Sequence, residues 1–302
     1  MAAANWIDLL DPTPEQLEEH KPPGLDPAVE RLLARPSTGE PEPRPRLLVV
    51  GKYVVGALLV PVLVHAERRV YYQELELILN TEVLITVRKT PPNGEAFDLT
   101  DVLDMPREAH STGFLAYRIL DAIAEEYLDL IDGIDEEIDE LDDHVEDWSA
   151  DRVRMRISHV RHDLLNIRRT LSPTRDAVRE IVDNRVEVEG EEVFEHRVEL
   201  ALGIVYDKLL RASEGLDYTR DLLGGVRDYA VAKIANDQNE VTKRLTVAAT
   251  LLLFPTFVVG VYGQNFHHIP ELSWRYGYAY AWAVIVVATI VQLVYYRRKR
   301  WI

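Results

Sequence analysis

Cysteine is absent from all 302 residues, so no disulfide framework, thiolate metal site or thiol nucleophile can be built. Basic residues are in deficit. Only 34 Lys and Arg stand against 51 Asp and Glu, a formal net charge of −17. Nucleic acid, whose binding needs basic surface, is not an expected partner. The acid excess suits a protein that handles cations, or one that only needs solubility. There is no P-loop, nucleophile elbow or His-Glu-x-x-His motif, so no enzyme class is indicated and no organic cofactor is expected. The opening residues lack a basic n-region followed by an apolar h-region, so no secretory signal is expected. Proline is missing from Phe194 to Phe254, and charge is missing from two late stretches, Leu245 to Tyr262 and about Tyr278 to Tyr296.

Those two uncharged stretches are each close to the roughly 20 apolar residues a helix needs to cross a bilayer. Lys243 and Arg244 precede the first, and Arg297, Arg298, Lys299 and Arg300 follow the second. Arg275 is the only Lys or Arg between them. The positive-inside rule places both termini in the cytoplasm and the loop 263–275 outside. Tyr276, Tyr278, Tyr280, Trp282, Tyr295, Tyr296 and Trp301 cluster at the edges of the second span, as interfacial anchors in contact with membrane lipid do. A multi-pass protein of the plasma (inner) membrane is expected.

The body before Lys243 reads as an α+β cytoplasmic domain over 1–112 and a helical hairpin with a stalk helix over 113–243. A two-helix membrane region over 244–302 follows. A short helix signal lies within Asn5–Glu19, with Asp11 or Thr13 as cap, and another at Pro27–Ala34. The runs Leu47–Val50, Val54–Val64, Val70–Tyr72, Glu74–Leu79 and Val83–Val87 are β-branched and predict a sheet. Leu115–Trp148 has apolar residues at steps of three and four and an acidic outer face. Asp151–Asp183 is rich in arginine and is expected to break near Ser172-Pro173. Acidic then basic helices suggest an antiparallel hairpin. Phe194 to Tyr262 predicts one continuous helix of roughly 100 Å. Such a helix needs partners, and a symmetric oligomer is the simplest supply.

Along that helix Asp228, Val231, Ala235, Asn239, Thr242, Leu245, Ala249, Leu253, Thr256 and Gly260 recur at steps of three and four and share one stripe. Inside the membrane a stripe of small and hydroxylated residues either packs against other helices or lines a pore. Stacked rings of Asp, Asn, Thr and Leu would make a cation path with hydrophobic constrictions.

The segment Asn239-Glu240-Val241-Thr242-Lys243-Arg244-Leu245-Thr246 is followed by Tyr262-Gly263-Gln264-Asn265-Phe266 and Ile269-Pro270-Glu271-Leu272, then by a basic C-terminus with Trp301. Together they resemble the CorA family of divalent-cation channels, whose hallmark is Tyr-Gly-Met-Asn-Phe followed by Met-Pro-Glu-Leu. Trp6-Ile7-Asp8-Leu9 with Asp11-Pro12-Thr13, and Val205-Tyr206-Asp207, are similar to the family as well. The resemblance covers essentially the whole chain. It implies a homopentamer whose stalk helix continues as the inner membrane helix, with the second membrane helix outside it. It places the entrance filter at Gly263, Gln264 and Asn265. The pore lining falls on Asp228, Asn239, Thr242, Leu245, Ala249, Leu253, Thr256 and Gly260, and the outer mouth on Glu271.

Mg2+ keeps several waters when bound. Amide oxygens of Asn265 could hydrogen-bond those waters without stripping them, and Asp228 could meet the ion below. Asn265 alone would also suit an ordinary turn, and Glu271 an ordinary solvated loop. Gln264 stands where the family has methionine. His267 and His268, which could bind Zn2+, Ni2+ or Co2+, follow the filter. Ile204 occupies the stalk position where relatives carry an acid for a regulatory Mg2+ site, with Asp207 nearby as a candidate. Mg2+ is the expected cargo and a candidate gating ligand, with Co2+ or Ni2+ also carried. The alternatives are zinc transport and a non-conducting membrane-anchored scaffold or sensor.

Overall fold

The computed structural model describes residues 5–35, 45–64, 69–91, 94–104, 110–183, 185–186, 188, 190, 192–264 and 269–302. The chain divides into two compact units, Met1–Arg227 and Asp228–Ile302.

The first unit opens with strand β1 (Asn5–Leu10), then helices α1 (Pro14–His20) and α2 (Pro27–Leu33). Strands β2 (Arg46–Val50), β3 (Tyr53–Val64), β4 (Arg69–Leu79) and β5 (Val83–Lys89) follow. They form one sheet in the order β1-β5-β4-β3-β2, antiparallel except for the β1–β5 pair. The expected runs Val70–Tyr72 and Glu74–Leu79 are one strand. Gln73 between them is fully buried and donates to Thr90 Oγ1 at 3.0 Å, so a polar residue does not end the ladder. The first helix signal resolves into a strand followed by a helix. Thr13 caps α1 in a reciprocal box with Gln16. Residues Asn5–Leu10 pair instead with β5, where Asp8 meets Arg88 at 2.6 Å and accepts from Thr86 Oγ1 at 2.6 Å.

The sheet is covered on both faces. Tyr53, Val55, Ile78, Ile85 and Val87 pack with Leu25, Val29 and Leu33 of the α1–α2 segment. Leu58, Leu75, Leu77 and Leu84, at the alternate positions, are also buried. Beside the first layer Lys89 pairs with Glu76 at 2.6 Å. Burial pushes the Glu76 carboxyl up to about 8, against the pull of Lys89, and raises Glu74 in the same direction.

After a short α3 (Thr100–Leu103) come the helices α4 (Thr112–His144) and α5 (Ala150–Val182), each 33 residues, capped by Ser111 and Ser149. The expected break at Ser172-Pro173 does not occur. An internal proline costs roughly 3 kcal/mol. Ile167, Leu171, Ala177 and Val178 are buried on either side of Pro173, and this packing holds the helix through it. Helix α6 (His196–Tyr262) runs 67 residues. Its part in the first unit completes a three-helix bundle. Lys208 pairs with Asp121 and Thr219 donates to Asp135, so α4 and α6 run in the same direction. Arg156 reaches back to Glu137 at 3.0 Å and Glu140 at 3.5 Å, so α5 runs the other way. The acidic–basic hairpin is therefore present, held chiefly by its apolar seam of Ile134, Ile138, Leu141, Val153 and Val160.

The second unit holds the remainder of α6, a 3-10 turn at Pro270–Ser273 and α7 (Gly277–Arg298). Helices α6 and α7 are long and apolar enough to cross a membrane, and only 6% of each apolar stretch is buried. A core helix of a soluble protein would be mostly covered.

Candidate functional site

In the second unit α6 has two unlike faces. Val247 and Val258 are buried, and Thr250, Leu251, Phe254, Pro255 and Tyr262 are half-buried. Thr250 Oγ1 lies 2.8 Å from the Tyr296 hydroxyl of α7, so this is the face that α7 engages. At about 100° per residue these positions fall together on the helix wheel. The stripe from Thr242 through Leu245, Ala249, Leu253 and Thr256 to Gly260 falls on the opposite side, with Asn239 towards its flank.

Every member of that stripe, and Asp228 at its start, is exposed in the chain. Leu245 is 65% and Leu253 69% exposed, values foreign to leucines with a settled neighbour. Around Gly260 a side chain would meet open space. The two threonines are specifically set. Thr242 Oγ1 donates to Gln238 O at 2.9 Å, and Thr256 Oγ1 donates to Leu252 O at 2.7 Å. Their hydroxyl protons are committed to the helix, so what they offer outward is oxygen lone pairs. A surface of such acceptors suits the outward-pointing hydrogens of a hydrated cation.

At the outer end Gly263 N–H continues the helix to Val259 O at 2.8 Å, and Gln264 N–H bonds Val261 O at 3.3 Å. Asn265, His267 and His268 lie outside the described residues. Glu271 is half-buried in the 3-10 turn. Its carbonyl sits so near the start of α7 that a Cβ on Gly277 would be 2.1 Å from it, so glycine is needed there. Trp274 and Tyr280 add a ring contact at 5.6 Å. Glu271 is thus fixed to the base of α7. In the first unit Asp207 is exposed and Ile204 is 57% exposed, on the part of α6 away from the bundle core.

Among the described residues no group of three or more His, Asp or Glu could hold a metal ion within one chain. The stripe offers at most one polar side chain per level, so a site there needs the same residue from several copies. Sequence reasoning missed the Thr250–Tyr296 tie and the Gly277 contact. The first was within reach, because Val247, Thr250, Phe254 and Val258 repeat on the face complementary to the stripe. The second was not, because the approach of Glu271 O to Gly277 is a loop geometry with no period.

A family model described as "CorA-like Mg2+ transporter protein" matches residues 2–300. The chain is similar to the cobalt/magnesium transport protein CorA of Thermotoga maritima, 31% identical over 192 residues, 63% of this chain and 52% of that protein. It is similar to the putative metal ion transporter YfjQ of Bacillus subtilis, 31% identical over 190 residues, 63% of this chain and 58% of that protein. The alignments therefore span little more than half the length of these relatives. Among solved structures, the CorA magnesium transporter of Methanocaldococcus jannaschii matches with a TM-score of 0.79 at 20% identity, covering 98% of this chain and 91% of that one. At that identity the likeness shows a shared fold.

Proposed function

Because the chain belongs to the CorA-like Mg2+ transporter family, we propose that it conducts hydrated Mg2+ across the plasma (inner) membrane along the axis of a homopentamer, with Co2+ and Ni2+ as further cargo. The observation that carries this reading is the exposed stripe from Asp228 to Gly260, set opposite the face that α7 engages. A helix with one face on α7 and the other bare has a place for an axis. Around that axis the stripe becomes rings of carboxylate, amide, hydroxyl and leucine.

Each ring has a distinct task. Mg2+ sheds water reluctantly, so the path must carry it hydrated. Asn265 presents a ring of amide oxygens at the entrance, accepting hydrogen bonds from the ion's waters. Gln264 adjoins it and tunes ion choice. Glu271, held against Gly277, raises the cation concentration at the mouth. The Thr256 and Thr242 oxygens accept from the same waters further in. Leu253 and Leu245 close the path by excluding water when the helices are drawn together. Asn239 and Asp228 receive the ion on the cytoplasmic side.

The orientation rests on Lys243 and Arg244 before the first span and Arg297 to Arg300 after the second, which keep both termini cytoplasmic. We place the membrane region at 244–302, the hairpin and stalk at 113–243 and the α+β domain at 1–112. Cytoplasmic Mg2+ bridging the stalk carboxylates, Asp228 and the Asp207 candidate, holds the closed form by relieving their mutual repulsion. The chemistry is transport, with no bond made or broken.

The test is Mg2+ flux into liposomes holding purified protein. Asn265→Ala, assembled and inserted normally, is expected to abolish flux. Gln264→Met is expected to keep Mg2+ flux while changing the preference against Zn2+ or Ni2+. Parental flux in Asn265→Ala would remove the filter assignment. Native mass measurement with only monomer or dimer would remove the pentamer.

A further inference from the structure

Among the described residues of the second unit, one buried side-chain polar atom has no hydrogen-bond partner, the amide oxygen Oε1 of Gln292. Gln292 lies in α7, four residues before Tyr296 and inside the stretch that carries no charge. Val291, Leu293, Val294 and Tyr295 around it are exposed, whereas Gln292 is half-buried. Tyr296 meets Thr250 of α6, and a residue four positions back on a helix shares its face. The Gln292 amide is therefore held against α6. Inside a bilayer no water completes such a group, so its partner has to be protein.

A matching group stands on α6. The helix continues through Pro255. Proline has no N–H, so the carbonyl of Leu251 loses the donor that residue 255 would supply. In hydrocarbon an unmet carbonyl is as unfavourable as an unmet amide. The threonine hydroxyls nearby are turned to other carbonyls, Thr250 to Thr246 O at 2.9 Å and Thr256 to Leu252 O at 2.7 Å. Leu251, Phe254 and Pro255 are half-buried on the face that α7 engages. The freed carbonyl is thus on the α7 side of α6.

The heights of the two groups agree. The connection 263–276 is short, so α6 and α7 run antiparallel. The Tyr296 hydroxyl is level with Thr250 Oγ1. Four residues back along α7 is about 6 Å of helix, and the same step along α6 leads from Thr250 to Phe254. Tyr296 and Gln292 both lean toward the start of α7, so their tips keep that spacing. A helical carbonyl points toward the C-terminus, so Leu251 O stands between the levels of Leu251 and Pro255. The Gln292 amide reaches the same level from the facing helix. Half a turn about the last bond of the side chain exchanges its oxygen and its NH2 without changing its shape. We infer that Gln292 Nε2 donates to the Leu251 carbonyl, and that this bond makes Gln292 the positioning residue of α6 at its proline.

The place of the bond gives it a consequence. Pro255 lies between Leu253 and Thr256, two members of the exposed stripe. A helix bends most readily at a proline. A donor reaching the freed carbonyl from α7 fixes that bend, and with it the direction in which Leu253 and Thr256 point. The effect on conduction rests on the reading of the stripe as a pore, whereas the bond itself stands on α6 and α7 alone.

The test is a double-mutant cycle in the full-length protein. Gln292→Leu keeps the bulk of the side chain and removes the donor. Pro255→Ala returns an N–H to the Leu251 carbonyl, and Pro255→Leu does the same with more volume if alanine unsettles assembly. The chain has no cysteine, so Val258→Cys, buried on the α7 side of α6, is placed in every variant as a reporter. Its labelling by a maleimide in detergent reads the parting of the two helices. Gln292→Leu is expected to speed labelling several-fold in the chain with Pro255 and to change it little in the chain with Pro255→Ala. Mg2+ flux into liposomes should follow the same pattern, altered by Gln292→Leu only where Pro255 is present. Slower labelling in Gln292→Leu would mean that the amide had no partner to lose, and would overturn the bond. Equal acceleration in both backgrounds would assign the amide to another acceptor and also overturn it. The labelling pattern holding in a protein whose parent does not conduct Mg2+ would support the bond and remove the pore reading alone.

Discussion

The two units obey different rules of burial. In the first, Leu58, Leu59, Leu75, Leu84, Ile119 and Ile123 are at most 2% exposed, and the sheet is covered on both faces within one chain. In the second, Ala230, Val247, Val258 and Gly277 are the only buried residues among those described, while Leu252, Leu253, Phe257 and Tyr278 are 66–81% exposed. The first unit closes its own core. The second leaves most of the apolar surface of its two long helices uncovered within one chain. Destabilising changes should therefore register as folding defects in the first unit and as conduction or assembly defects in the second.

The largest contrast is between two leucines. Leu75→Ala removes a fully buried side chain and is expected to cost roughly 2–5 kcal/mol, seen as early thermal unfolding of the first unit. Leu253→Ala, at a 69% exposed position, should leave that transition where it was. Equal losses in both variants would end the distinction between the units. Leu245→Ser is next. With assembly intact it should raise basal Mg2+ leak in liposomes several-fold, since a hydroxyl ring wets more readily than a leucine ring. Unchanged leak would remove Leu245 from the gate.

Tyr296→Phe deletes the partner of Thr250 and is expected to cost about 1 kcal/mol of helix–helix stability in detergent titrations. Thr250→Val should add little on top of it, because both remove the same bond; additive losses would break the pairing. A further contrast concerns pH. Glu76 ionises at the ordinary carboxylate value of 4.5 when unfolded and at about 8 when folded, because burial penalises its charged form. Its folded pKa is raised, so the stability from holding that proton is complete below about 4.5 and is lost as pH rises through about 8. The unfolding midpoint of the first unit should fall as pH rises from about 5 to about 8, and Glu76→Gln should flatten that fall. A parental pH slope in the variant would assign the dependence to other groups.

Legibility in the sequence followed the range of the interaction. Helices α4 and α6 and both membrane spans were readable, because a stripe repeating every three or four residues is a local signal. Strand β1 was not, since its partner β5 lies almost 80 residues on and the charge of Asp8 has a reason inside a strand only once Arg88 is seen beside it. The Pro173 break failed for a similar reason. Local propensity argues for a kink, but the seam of Ile167, Leu171 and Val178 belongs to the packed bundle.

For the candidate site, the sequence by itself determined which residues share the Asp228–Gly260 stripe, because helical periodicity depends only on numbering. It determined the two spans and their flanking charges in the same way. Only the tertiary structure decided that α7 takes the opposite face, through Thr250 and Tyr296, and so left the stripe bare. Periodicity is written into one helix, whereas the choice of which face to cover is made by a second element, and that choice depends on contacts between residues far apart in the chain.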